Sequence, residues 1–322
     1  MMALKQNVSV PGYQTKKINH SWVWHLRRWT STGQAYVYLL PAFIVLAVFS
    51  YGPAAFVFYM SLFKWSFLNQ GVQPFIGLAN YEYLLHSATF WHALQTTVLY
   101  VIISVPLQLF LALFLALCLM SGIRAKAFWR LLIFMPFITP LVATTAIWYW
   151  MFDKYHGLFD GLLRLLHLPA IDWLGDPHWT LFSIILYTTW KSAGFSLVIF
   201  LAGLGNIPTE LKEAARVDGA GSWHIFRHIT WPMLIPITLV VMLLGTIEAF
   251  KMFQPAFLLV GPVGGPDNSA NTLGLYLFSE GFSTNPHDGR GAAISVILFL
   301  LVFIVSIVQF TLSRRGTQAV EA

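Results

Sequence analysis

Long apolar blocks alternate with short polar ones along almost the whole chain. Six blocks are long enough to cross a bilayer as helices, which takes roughly 20 predominantly apolar residues each. They lie at about 36–60, 92–120, 126–151, 179–203, 233–260 and 291–312. Pro53, Pro106, Pro136 and Pro140 fall inside them. Spanning helices tolerate such breakers where neighbours or water satisfy the freed backbone groups, so these positions read either as simple kinks or as the lining of a passage. The pattern predicts an all-α membrane protein, a six-helix transmembrane bundle, with no strict internal repeat visible.

Between the fourth and fifth blocks sits a polar, helix-favouring insert at 205–232. Ala214 and Ala215 favour helix, and Asn206 or Thr209 beside Pro208 is placed to cap its entry. Gly219 and Gly221 are natural stops, after which Ser222 is placed to cap a second short helix carrying Trp223, Ile225 and Phe226. The insert therefore predicts two short helices joined by a glycine elbow.

Composition agrees with the blocks: 57% of residues are hydrophobic and 10% charged, against about a quarter charged in ordinary soluble chains. The net charge of +6 does not point to nucleic acid, because membrane proteins gather Lys and Arg on their cytoplasmic side. Counting by loop orients the chain. Lys5, Lys16, Lys17, Arg27, Arg28, Arg124, Lys126, Arg130, Lys212, Arg216, Arg227, Arg314 and Arg315 share one side, against Lys64, Lys154, Arg164 and Arg290 on the other. Both termini and the insert are thus expected in the cytoplasm. The outer loops are expected at roughly 61–91, 152–178 and 261–290. In the first 35 residues, Trp22, Trp24 and Trp29 alternate with His25, Arg27 and Arg28, a mix suited to a segment lying on the inner membrane surface against lipid headgroups. The predicted organisation is a tail with that interfacial segment at 1–35, a six-span domain at 36–313 and a cytoplasmic tail at 314–322. Cys118, the only cysteine, lies in an apolar block and reads as a packing residue.

Away from the block edges, three charges fall inside the blocks: Lys191, Glu248 and Lys251. Such charges are costly in lipid and usually face a bundle interior or a wet cavity. Glu248 and Lys251 share one helical face, as lining of a polar substrate pocket or as an internal bridge; Lys251 could also snorkel outward. No phosphate-binding Gly-x-x-x-x-Gly-Lys-Ser/Thr loop is present, so uphill transport would draw its energy from another chain or from an ion gradient. An ion-coupled carrier using Glu248 is the main alternative. An intramembrane enzyme pairing Glu248 with a histidine is a weaker one, given no metal-ligand spacing.

The insert also carries a spaced signature. Glu213-Ala214-Ala215, Gly219, Ile229 and Pro232 resemble the Glu-Ala-Ala loop of permease subunits of binding-protein-dependent ABC importers, with Trp231 where that family usually has Leu. The resemblance extends over most of the chain beyond residue 35. Leu40-Pro41-Ala42, Phe75-Ile76-Gly77-Leu78-Ala79-Asn80-Tyr81, Ile171-Asp172-Trp173-Leu174-Gly175-Asp176-Pro177 and Gly264-Gly265-Pro266 resemble the carbohydrate branch, in a compact six-span form of the maltose-type first permease. It implies a cytoplasmic coupling-helix loop in which Glu213, Ala214, Ala215, Asp218, Gly219, Trp223 and Phe226 dock on an ATPase subunit. It further implies sugar contacts at Thr188, Lys191, Ser192 and Phe195 before the loop, and at Gly245, Glu248, Ala249 and Met252 after it, with Lys251 beside them. Two lysines against one glutamate would leave that pocket net positive, which leaves room for an acidic saccharide or sugar phosphate beside a neutral sugar. The implied assembly holds a second permease, two cytoplasmic ATP-binding subunits and an extracytoplasmic solute-binding protein in a bacterial inner membrane. The chain itself would hold no cofactor and be no enzyme, ATP and Mg being bound by the partner ATPases.

Overall fold

A computed structural model describes residues 36–67, 71, 73–282 and 286–321, with side chains to residue 311. The expected interfacial segment at 21–30 lies outside these residues, as does part of the first outer loop. Among the described residues the chain is helical, with a single isolated β-bridge between Phe63 and Phe75. It forms two units, Met1–Phe56 and Val57–Ala322. The described part of the first is apolar helix, and one span, α1, covers Tyr36–Met60 with a π-turn at Ala47–Tyr51.

Within the second unit follow a short α2, Ala79–His86, and a long α3, Ala88–Met120. Then come α4, Lys126–Ile138, and α5, Leu141–Met151. The short α6, Leu158–Leu165, precedes the long α7, Pro177–Gly205. The insert contributes α8, Thr209–Val217, and leads into α9, Ser222–Phe250, which passes through a π-turn at Phe226–Thr230. The chain ends in α10, Gln254–Val260, α11, Leu273–Phe282, and α12, Asp288–Glu321. The last helix thus continues past residue 313, where a tail was expected.

Two of the six expected spans differ in form. The third is broken: α4 and α5 meet at 97°. Pro140 has no N–H and pushes Thr139 out of helical backbone, to ψ 139°. The fifth stops at Phe250, ten residues early, and Pro255 starts the separate α10 in its first turn. The remaining helices α1, α3, α7 and α12 match the apolar blocks, so five helices, or six with the broken pair, are long and apolar enough to cross a membrane.

Helices in lipid gain little from burying apolar surface against one another, so association relies on close packing and interhelical hydrogen bonds. Tyr100 donates to Thr188 at 2.9 Å and Gln108 to Ser196 at 2.8 Å. The equal offset of 88 residues shows that α3 and α7 run parallel and in register. Thr144 and Tyr187 join α5 to α7 at 2.8 Å, and Gln309 donates to Thr246 at 2.9 Å, joining α12 to α9. Glycines set the closest approaches. A Cβ on Gly194 would collide with the Ile133 carbonyl and lie 2.9 Å from Phe134 Cα, so α7 touches the backbone of α4 there. Away from the membrane-crossing helices, the fully buried Asp160 accepts hydrogen bonds from Ile171 N–H and Trp173 Nε1, pinning the 158–173 loop beneath an aromatic cluster of Trp148, Phe152 and Phe159.

Gly194→Ala is expected to destabilise the fold by about 1–3 kcal/mol, the usual cost of over-packing. Gly205→Ala meets nothing within 4 Å and should be neutral. Thermal unfolding of the two purified variants in detergent checks the difference, and equal midpoints would show that the α4–α7 contact is not tight.

Candidate functional site

Two places gather the residues singled out in the sequence. The first is the insert. α8 ends as expected at Gly219, whose φ of +82° only glycine adopts without strain. Ala220 N–H reaches back to Ala215 C=O at 2.9 Å and Gly219 N–H to Arg216 C=O at 3.0 Å, closing the helix end. The entry caps differ from expectation. Pro208 and Gly221 hold the cap positions with no side-chain bond, and Thr209 and Ser222 are already the first helical residues. Gly221 keeps negative φ, so the elbow turns on Gly219 alone.

The base of the insert is anchored. Ile207 and Ile225 are buried, and Ile229 packs with Leu204 and Leu234. Its other face is open, with Trp223 at 70% exposure and Val217 at 87%. Trp223 stacks on Phe226 with centroids 5.5 Å apart, and Phe226 leans on Trp231 at 6.3 Å. Glu213, Ala214, Arg216, Asp218 and Gly219 are all exposed and Ala215 is half-buried. Among the described residues none of Glu213, Arg216 and Asp218 has an ion-pair partner. The result is an aromatic and aliphatic patch ringed by idle charges on a rigid base.

The second place lies on α7 and α9. Gly245 rests 3.7 Å from Val105 and 3.9 Å from Gln108, as judged from its ideal Cβ. Since α9 runs antiparallel to α3 and α7, Glu248, three residues on, stands about 4.5 Å farther along, level with the turn of α7 that carries Lys191. That level is near the middle of α7. Glu248 and Lys251 form an ion pair at 3.1 Å, and their side chains are 76% and 55% exposed. They face outward from the core.

Lys191 is engaged differently. Its Nζ donates to Pro136 C=O at 3.0 Å and to Thr139 C=O at 2.9 Å. These carbonyls end α4 at its break and have no helical partner beyond it, so the ammonium caps the broken span. Thr188 receives the Tyr100 hydroxyl and donates to Ile184 C=O, and Ser192 donates to Thr188 C=O at 2.6 Å. Phe195 is exposed and stacks on Phe137 at 5.0 Å. Ala249 and Met252 turn the other way and are buried in the core with Tyr187 and Phe250.

The structure therefore sets Gly245 against α3 beside Val105 and Gln108, turns Glu248 and Lys251 outward as a pair, buries Ala249 and Met252 in the core, and ties Lys191 to the helix break. With Lys251 paired and Lys191 turned to carbonyls, the lysine count no longer argues for an acidic ligand. Gln108, Ser196 and Tyr100, which tie α3 to α7, were not singled out. An amide such as Gln108 inside an apolar block was the signal that could have found them.

Residues 108–317 match the family described as the binding-protein-dependent transport system inner membrane component. The trehalose/maltose transport system permease MalF of Thermococcus litoralis is 33% identical over 280 residues, covering 87% of this chain and 93% of that relative. The sulfoquinovosyl glycerol transport system permease SmoG of Agrobacterium fabrum is 34% identical over 292 residues, covering 89% and 93%. In fold the chain is similar to a subunit of a bacterial ABC transporter involved in import of the acidic polysaccharide alginate. The TM-score is 0.78 at 22% identity, over 90% of this chain and 99% of that one. This chain belongs to the family of multi-pass inner-membrane components of binding-protein-dependent transport systems.

Proposed function

We propose that this chain is a permease subunit of an ATP-driven importer for a sugar or oligosaccharide and forms one half of its translocation pathway. The observation that carries the reading is the Glu248–Lys251 pair, exposed at the far end of α9, level with the middle of α7. A charged pair left against lipid is costly, so this face suits a water-filled passage closed by a second, related permease. The sugar class is supported by relatives named for trehalose/maltose, lactose and arabinooligosaccharides.

The insert supplies the coupling. Two cytoplasmic ATPase subunits, which bind ATP and Mg, grip the Trp223 patch, with Glu213, Arg216 and Asp218 fixing register at its rim. Their closure on ATP moves the insert and rocks α9 with it. The passage then opens to an extracytoplasmic solute-binding protein that delivers the sugar. Hydrolysis resets it toward the cytoplasm, so the site is reached from each side in turn. Within the passage Glu248 and Lys251 offer an acceptor and donors to sugar hydroxyls, and Phe195 offers a ring face. The chain performs no chemistry of its own.

Trp223→Ala and Glu213→Ala should weaken capture of the ATPase subunits on the order of 10-fold or more each while membrane insertion stays normal. Pull-down from solubilised membranes checks this, and full capture by both variants would remove the docking role of the insert. Glu248→Ala and Lys251→Ala should raise the apparent KM for sugar uptake by roughly 10-fold without changing assembly. Uptake by the complete complex in ATP-loaded vesicles is the measurement. Unaltered kinetics in both variants would displace the pathway from this face, and uptake by the isolated chain on an ion gradient would favour the carrier with Glu248 as its ion site.

A further inference from the structure

A cavity of about 540 Å³ opens between the start of α3, the 261–271 loop and α11, within the roughly 300–1,000 Å³ of small-molecule sites. It lies at the end of the fold opposite the insert: an ideal Cβ on Gly265 of its loop would sit 3.0 Å from Thr180 Cγ2 at the head of α7, whereas the insert follows the tail of α7. None of the pathway residues above lines it. We infer that this cavity is an accessory site for a neutral saccharide ring at the mouth of the passage.

Three observations meet there. Asn271 lines the cavity and is only 6% exposed, and its side-chain amide makes no hydrogen bond among the described residues. Its backbone is fixed: Asn271 N–H donates to Asn268 C=O at 2.9 Å, Ala270 N–H to Gly264 C=O at 2.8 Å, and the Thr272 hydroxyl to Met252 C=O at 2.9 Å. Gly264, at φ +83°, packs so closely that a Cβ would fall 2.6 Å from Asn271 N. Held this firmly and open to the cavity, the amide is placed to pair with a ligand there in exchange for water. The cavity is also lined by aromatic rings, with Phe278 stacked on Phe282 at 5.5 Å and edge-on to Phe257 at 5.1 Å. Thr89 and Ser279 add hydroxyls.

Aromatic rings lining the same cavity as an amide and hydroxyls match the two kinds of surface on a sugar ring, its C–H bonds and its hydroxyls. No charged side chain lines the cavity. A lipid phosphate would want a cation, and an acyl chain would have no use for Asn271. A neighbouring cleft has Lys64, His287 and Arg290 on its walls, but there Arg290 already stacks over Tyr83 at 3.6 Å and lies 3.9 Å from Glu280. The uncharged cavity therefore suits a neutral ring rather than a uronate.

The ligand class rests on the sugar-importer reading, and the test separates the two. Saturation-transfer NMR on the purified permease complex, without solute-binding protein, is run with maltose and lactose as neutral probes and glucuronate as the acidic one. The neutral sugars should give signal, glucuronate much less. Asn271→Leu and the exposed-ring variant Phe282→Ala should each weaken neutral-sugar binding roughly fivefold, and the signal should persist in Gly205→Ala, which meets nothing within 4 Å. If the complete importer takes up sugar yet neither cavity variant changes the signal, the inference falls alone. If the importer moves no sugar, both fall. If Asn271→Leu leaves the signal intact but weakens capture of sugar-free solute-binding protein, the cavity holds a protein loop and the inference is overturned.

Discussion

The ammonium of Lys191 holds two carbonyls that the bilayer cannot. A helix broken at mid-membrane exposes backbone oxygens to a medium without donors, and each unsatisfied group there costs several kcal/mol. Pro140 makes the break, and Pro136 and Thr139 supply the oxygens that Lys191 takes. Gly194, one turn along on α7, lets the two backbones come close enough for that reach. Remove the lysine, and the Pro136 and Thr139 carbonyls at the 97° bend lose the donor that caps them. The stacked Phe137 and Phe195 depend on the same approach, so one wall of the passage follows from this contact.

A second constraint governs what the bundle does. Glu248 and Lys251 neutralise each other, yet they present their charges away from the core. Inside a finished monomeric bundle such a pair would point inward. Its outward aspect fits the proposed second permease closing against it, with the candidate passage a face rather than an enclosed hole. The insert is built on the same logic at the other end, with a buried isoleucine base and an apolar patch left for a partner.

Much of this was legible in the residues. Apolar blocks located α1, α3, α7 and α12 because spanning length is dictated by bilayer thickness, and the Gly219 elbow followed from backbone freedom. The prolines marked both irregular spans, but not which would become a right-angle break and which a harmless kink. Pro106 and Pro236 stay inside continuous helices, while Pro140 and Pro255 begin new ones. That choice depends on what satisfies the freed carbonyls, a matter of three-dimensional neighbours. The role of Lys191 was hidden for the same reason: its partners lie 52 and 55 residues away. The family resemblance also put Ala249 and Met252 beside Glu248 as sugar contacts, although both are buried in the core.

The π-turn at Phe226–Thr230 leaves no gap between the insert and the long rod that follows; from Ser222 to Phe250 the helix is unbroken over 29 residues. At about 1.5 Å per residue, Glu248 sits nearly 40 Å from the foot of that rod. A tilt of about 5° at the foot would carry it roughly 3 Å sideways, the scale of one hydrogen bond made or lost. Leverage, rather than any relay of side chains, is then enough to let nucleotide turnover far below open and shut a grip on solute.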